Sequence, residues 1–182
     1  MFRDESLEKI ANEIRVCVRC KLSCGRQNCV PGDGPNSAKV VFIGEAPGKN
    51  EDKTGRPFVG PAGRILDDAL HKAGIERSKI FITNIVKCRP PRNRRPRKEE
   101  SASCLPYLER QISIVGPRIV CILGASAYST VLDGKSIMKE RGKIVKRNGQ
   151  EYLITIHPAA AIYNKALRHV LVDDISRLTS YL

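Results

Sequence analysis

An α/β fold with a central, mostly parallel sheet is what this 182-residue sequence predicts. Two observations predict it. Short β-branched apolar runs recur along the chain, several of them closed by glycine. Segments with apolar residues at helical spacing alternate with them, as a sheet covered on both faces requires. No internal repeat and no long linker divides the chain. The expected architecture is a single-domain three-layer α/β/α sandwich spanning residues 1–182.

The elements follow in order. Leu7, Ile10, Ala11 and Ile14 recur at helical spacing, so the segment MFRDESLEKIANEIRV reads as an amphipathic helix and not a signal peptide. No apolar run reaches membrane-spanning length, so an intracellular protein away from membranes is expected. Pro31, Gly32, Gly34 and Pro35 mark a loop. Val40 to Ile43 is a buried strand bounded by Gly44. Ile65, Leu66, Ala69, Leu70 and Ala73 stripe a helix that stops at Gly74. Ile80 to Thr83 is the second buried strand. Leu105, Leu108 and Ile112 predict a helix with Pro106 near its start, and Ile119 to Leu123 a third strand closed by Gly124. Residues 145–152 form a hairpin turning at Asn148-Gly149, and Leu153 to Ile156 runs into His157-Pro158. Ala166, Leu167, Val170, Leu171, Ile175 and Leu178 stripe the last helix.

Seven cysteines in a chain with no secretion signal favour metal ligation over a disulfide framework. Cys17 and Cys20 form a C-x-x-C pair, and Cys88 and Cys104 lie far downstream. Four thiolates complete a site for zinc or for an iron–sulfur cluster, and spacing alone leaves both open. Such a centre staples the N-terminal arm to a middle loop. Cys24 and Cys29 read as bystanders or alternative ligands, and Cys121, inside IVCIL, as core.

The net charge is +13, from 32 basic and 19 acidic residues, a field that favours a polyanion such as nucleic acid. Its densest stretch lies between the third and fourth cysteines of the set. Residues 87–98 hold seven cations: Lys87, Arg89, Arg92, Arg94, Arg95, Arg97 and Lys98.

In open α/β sheets ligands bind beyond the carboxyl ends of the strands. Gly44-Glu45-Ala46-Pro47-Gly48 follows the first strand, Asn84 the second and His157-Pro158-Ala159-Ala160 the last. Each of these residues alone reads equally as a loop acid, a turn residue or a structural histidine. A carboxylate, a carboxamide and an imidazole at three strand ends beside a basic loop point to one site.

GEAPG, GRPFVGPAG (Gly55 to Gly63), TNIVKCRPP (Thr83 to Pro91) and HPAA, interleaved with cysteines 17, 20, 88 and 104, resemble the family 4 uracil-DNA glycosylases. The resemblance runs from about Cys17 to Ala160. It implies a 4Fe-4S cluster on the four cysteines, uracil-containing DNA as substrate (single- or double-stranded), a monomer, and hydrolysis of the N-glycosidic bond in base excision repair. It places uracil against Gly44, Glu45, Ala46, Phe58, Asn84 and His157. Asn84 would read the O4/N3 edge, Phe58 stack on the flipped ring, His157 stabilise charge growing on O2, and Glu45 orient water or face the sugar. Lys87, Arg89, Arg92, Arg94, Arg95 and Arg97 would contact phosphates.

The chain departs from the pattern in places. The loop after CRPP is unusually arginine-rich, and Ala161-Ile162-Tyr163-Asn164 stands where many relatives carry an arginine. Ala46 stands where the families with a GQDPYH loop have aspartate. Glu45 and the absence of an inserted basic loop separate the chain from the covalently trapping relatives. Two other readings remain: a DNA-binding iron–sulfur protein without turnover, and a zinc-stabilised nucleic-acid binding module.

Overall fold

The computed structural model describes residues 6–182. The part of the predicted opening helix that falls on residues 1–5 lies outside them. Ser6 caps α1 (Leu7–Arg15), its side chain accepting the Lys9 N–H at 3.1 Å. The chain continues through β1 (Val40–Gly44), α2 (Lys49–Thr54), α3 (Pro61–Lys72) and β2 (Phe81–Asn84). Then come α4 (Lys98–Val115), β3 (Ile119–Leu123), α5 (Ala125–Leu132) and α6 (Ile137–Glu140). The hairpin β4 (Ile144–Arg147) and β5 (Gln150–Thr155) precedes α7 (Ala160–Tyr163) and α8 (Leu167–Ser176).

The five strands form one sheet in the order β2-β1-β3-β5-β4. All neighbours pair in parallel except β4, which lies antiparallel on β5 at the edge. Alternate side chains of the central strands feed two cores. Val41, Ile43, Val120 and Ile122 pack with Ile10, Ile14, Tyr107 and Leu108 from α1 and α4. Val40, Phe42, Ile119, Cys121 and Leu153 pack with Leu66, Leu70, Leu171 and Ile175 from α3 and α8. Helices on both faces make the three layers. The largely exposed edge strand β4 carries Lys146 and Arg147, which discourage edge-to-edge pairing. No helix among the described residues is long and apolar enough to cross a membrane.

Several local signals act as the sequence predicts. Asn148 and Gly149 turn the hairpin with φ of 50° and 83°, the left-handed pair that a two-residue turn needs. The helix that carries Leu105, Leu108 and Ile112 differs from expectation: α4 begins at Lys98, so Pro106 sits in its interior. Its start is set by Glu100, whose carboxylate accepts the Arg97 N–H at 2.7 Å. The helices α2, α5, α6 and α7 were not anticipated; all have eight residues or fewer.

A candidate active site at the strand ends and a four-cysteine cleft

The carboxyl ends of β1, β2, β3 and β5 open into one cavity of about 580 Å³. Glu45 and Ala46 line it from the loop after β1, Asn84 from the end of β2, and Leu123 and Gly124 from the end of β3. His157 lines it just after β5, and Phe58 from the loop between α2 and α3. Five of the six residues expected around a base therefore line one cavity. Gly44, the sixth, is buried directly beneath it, paired with Asn84 in the parallel ladder.

Asn84 is 1% exposed, and its Oδ1 has no hydrogen-bond partner. A buried acceptor without a donor costs roughly 1–3 kcal/mol, so the carboxamide is left unsatisfied at the cavity wall. His157 lies 5.8 Å from the Phe58 ring, centroid to centroid, with the planes tilted by 32°. The Ala159 N–H donates to His157 Nδ1 at 3.1 Å, which leaves Nε2 to carry the ring proton. Burial pushes the His157 pKa down to about 4, against an opposing pull from the Glu51 carboxylate. The imidazole is thus neutral at physiological pH. Glu45 is half-buried in the cavity wall; its carbonyl accepts the Val86 N–H at 3.3 Å, and its carboxylate makes no hydrogen bond or ion pair among the described residues.

Phe58 adopts φ of 51°, a conformation costly for a non-glycine residue, and is only 6% exposed. Its loop is held from two sides. Arg77 donates to the Pro57 and Phe58 carbonyls at 2.7 and 3.2 Å, and pairs with Asp67 at 2.6 Å. On the other side, Glu51 Oε1 accepts the Val59 and Gly60 N–H groups at 2.9 and 2.7 Å, while Oε2 accepts Gly48 N–H at 3.1 Å. One buried carboxylate therefore ties the GEAPG loop to the GRPFVG loop. Sequence reasoning missed Glu51 and Arg77. The only signal for Glu51 was a carboxylate three residues after Gly48, at a helix start.

The cationic loop divides. Arg94 and Arg95 line the cavity mouth, and Arg92, Arg95 and Arg97 are exposed. Arg94 forms a two-pronged ion pair with Glu100 at 2.7 and 2.8 Å, and Arg89 donates to Asn93 at 2.7 Å. The expectation that Lys87 contacts phosphate is corrected by the structure: its side chain is 1% exposed. The ammonium points inward to Thr83, the Asn84 carbonyl and Gln111, and desolvation lowers its pKa to about 8. Beyond His157, Ile162 lines the cavity and Tyr163 is 90% exposed.

Cys17, Cys20, Cys88 and Cys104 line a second, smaller cleft between α1, α4 and the segment after β2. Cys24 is exposed, and Cys29 is buried away from this cleft's lining. Two N–H groups aim at the sulfurs: Arg26 Nη1 donates to Cys88 at 3.1 Å and the Lys87 backbone to Cys104 at 3.3 Å. Burial pushes the Cys88 thiol up to about 11, so it is a metal that would hold it as thiolate. The donor set, four sulfurs with N–H donors behind them, fits a soft metal centre. Among the described residues, no group of three His, Cys, Asp or Glu closes on a single-ion site.

Residues 31–175 match the model of the uracil DNA glycosylase superfamily. The type-4 uracil-DNA glycosylase of Sulfurisphaera tokodaii is 46% identical over 96% of this chain and 84% of its own. That of Saccharolobus solfataricus is 45% identical over 98% and 87%, and that of Thermotoga maritima 42% identical over 99% and 96%. With the sheet order, the cavity and these matches in place, the chain belongs to the uracil-DNA glycosylase superfamily, on its type-4 branch.

Proposed function

We propose that the protein excises uracil from DNA by hydrolysing the bond between N1 of the base and C1′ of the deoxyribose, leaving an abasic site for repair. The observation that carries the assignment of the base pocket is the unpartnered, buried carboxamide of Asn84. Its free Oδ1 matches the N3–H of uracil, and its NH₂ matches O4. Cytosine reverses both, with an acceptor at N3 and donors at N4, and would leave buried groups unpaired. A base reaches such a recess only after leaving the helix stack, and the Phe58 ring offers it an apolar face.

Cleavage of the C1′–N1 bond sends its electron pair to uracil and leaves an oxocarbenium-like sugar. The Nε2–H of neutral His157 donates to O2, where the negative charge grows. Water oriented by Glu45 at the cavity wall adds to C1′, and the proton it releases is taken up by the departing uracil anion, giving free uracil and an abasic site. Arg95 and its exposed neighbours Arg92 and Arg97 hold the flanking phosphates, while Arg94 stays paired with Glu100. Tyr163, standing out from α7 just beyond His157, fills the space the extruded base leaves.

Cys17, Cys20, Cys88 and Cys104 would hold a 4Fe-4S cluster, which supplies charge and a rigid anchor when bound. Four sulfurs lining one cleft suit a soft metal centre, and the resemblance to the iron–sulfur family favours a cluster over zinc. The decisive experiment incubates the protein with DNA that contains one uracil, cleaves abasic sites with alkali and looks for strand breaks. Breaks at the uracil alone are expected; intact DNA with binding retained would leave a DNA-binding protein without turnover. Iron and inorganic sulfide in the purified protein support the cluster, whereas zinc without sulfide would exclude it.

A further inference from the structure

We propose that Lys87 is a positioning residue that couples the four-cysteine cleft to the base-reading carboxamide of Asn84. The proposal rests on the excision reading above. The Lys87 ammonium is fully enclosed and has only neutral acceptors: Thr83 Oγ1 at 2.6 Å, the Asn84 carbonyl at 2.7 Å and Gln111 Oε1 at 2.8 Å. No carboxylate among the described residues pairs with it. A buried cation without a counter-charge is costly, and a methionine would fill the same space without that cost. The groups nearest to it that a metal would make negative are the cysteines, which its backbone touches and its ammonium does not. Lys87 precedes Cys88, lines the same cleft and gives its backbone N–H to Cys104 Sγ at 3.3 Å. Four thiolates on a metal core carry the excess negative charge that this ammonium needs.

The other end of the side chain is as specific. The Thr83 hydroxyl, accepting from Lys87, passes its own hydrogen to the Pro31 carbonyl at 2.9 Å, and Gln111 Nε2 donates to the same carbonyl at 2.8 Å. The network clamps the Thr83-Asn84 end of β2 from below. Asn84 Oδ1 has no partner of its own, so its aim depends on how firmly this backbone is held. Loading of the cysteine cleft is thereby felt at the uracil edge through one side chain.

The test uses iron-loaded protein purified without oxygen, as parent, Lys87→Met and Thr83→Val. Two quantities are measured: the midpoint potential of the metal centre, and the ratio of Kd values for a duplex with 2′-fluoro-deoxyuridine opposite guanine and the same duplex with cytosine there. Lys87→Met is expected to shift the potential to more negative values, because the reduced centre loses a neighbouring cation. It should also narrow the uracil preference about tenfold, the size of one charge-assisted hydrogen bond. Thr83→Val keeps the cation, so it should leave the potential in place while narrowing the preference. A Lys87→Met protein with the parent potential or the parent preference would overturn the coupling. If Lys87→Met fails to retain iron, iron removal from the parent and from Thr83→Val decides: a uracil preference that is unchanged, or that narrows equally in both, overturns the proposal, and one that narrows in the parent but not in Thr83→Val sustains it. A parent with no preference for the uracil duplex would sink the excision reading itself, a different outcome from a preferring parent matched by its variants.

Discussion

Gly44 stands beside Asn84 in the parallel ladder of β1 and β2, and a Cβ on Gly44 would lie 2.4 Å from Asn84 Oδ1 and 2.6 Å from the Phe58 ring. The absent side chain therefore makes room for two proposed base contacts at once. Neither neighbour is the loose end of a flexible chain; one is a buried amide and the other an enclosed ring. Gly44→Ala should push both out of place. The expected result is at least a hundredfold lower single-turnover cleavage of uracil DNA, with phosphate-driven duplex binding kept. Cleavage at the parent rate would show that the pocket yields and that Asn84 does not read the base from this position.

His157 should act on rate rather than on binding. Removing one preorganised donor costs roughly a hundred- to a thousandfold in rate. His157→Ala should therefore bind uracil DNA as the parent does while its cleavage collapses. Because burial lowers its pKa from 6.5 to about 4, kcat should show no imidazole inflection between pH 5.5 and 8. The unfolded chain takes up the proton more readily than the folded one. Stability owed to the neutral ring is thus whole above the ordinary pKa and is lost as pH falls towards about 4. A rate profile with its midpoint near 6.5 would contradict the buried, neutral ring.

Glu51 offers a separate test of the loop geometry. Glu51→Gln keeps one oxygen for Val59 and Gly60 but sets an NH₂ against the Gly48 N–H. Two donors then face each other, at a cost of about 1–3 kcal/mol. The GEAPG and GRPFVG loops should part, so KM should rise more than kcat falls, and the melting temperature should drop. A parent-like KM would make the tie incidental to the site.

Tyr163 is 90% exposed and follows Ile162, which lines the cavity. If it fills the gap in the stack, Tyr163→Ala should slow excision from duplex DNA about tenfold or more and leave single-stranded substrate nearly unaffected, since no stack is broken there. Equal slowing on both substrates would assign the ring to general contact with DNA.

The strands were legible because burial on both faces makes their apolar runs continuous: the Ile119–Leu123 run is β3 residue for residue. The start of α4 was not, because residues 98–104 read KEESASC and bury Glu100 and Cys104 rather than an aliphatic stripe. Charged residues in the interior misled for the same reason. Glu51 and Asp52 are the buried pair of α2, satisfied by backbone N–H groups from residues 27, 28, 48, 59 and 60. Lys87 is satisfied by Thr83, Asn84 and Gln111. Only the folded chain brings those partners together, so a local reading places the charges in solvent. The strand-end residues of the cavity were legible because the topology itself directs ligands there.

The arginine loop should show two kinds of cation. Arg92 and Arg95 are exposed, and Arg95 lines the cavity mouth; neutralising both should flatten the log–log dependence of binding on salt by about two units, one per lost phosphate contact. Arg94 is already engaged. Its guanidinium holds the Glu100 carboxyl down to about 2 from an ordinary value of 4.5, with help from the Arg97 N–H. That depressed pKa contributes stability that is present above the ordinary value and lost as pH falls towards about 2. Arg94→Gln should therefore change the salt slope less than the double variant does, yet leave a buried carboxylate without its cation. Its acid-unfolding midpoint should move to higher pH, a shift readable by circular dichroism from pH 2 to 5. An acid transition identical to the parent's, with a salt slope one unit flatter, would instead make Arg94 a phosphate ligand like its neighbours.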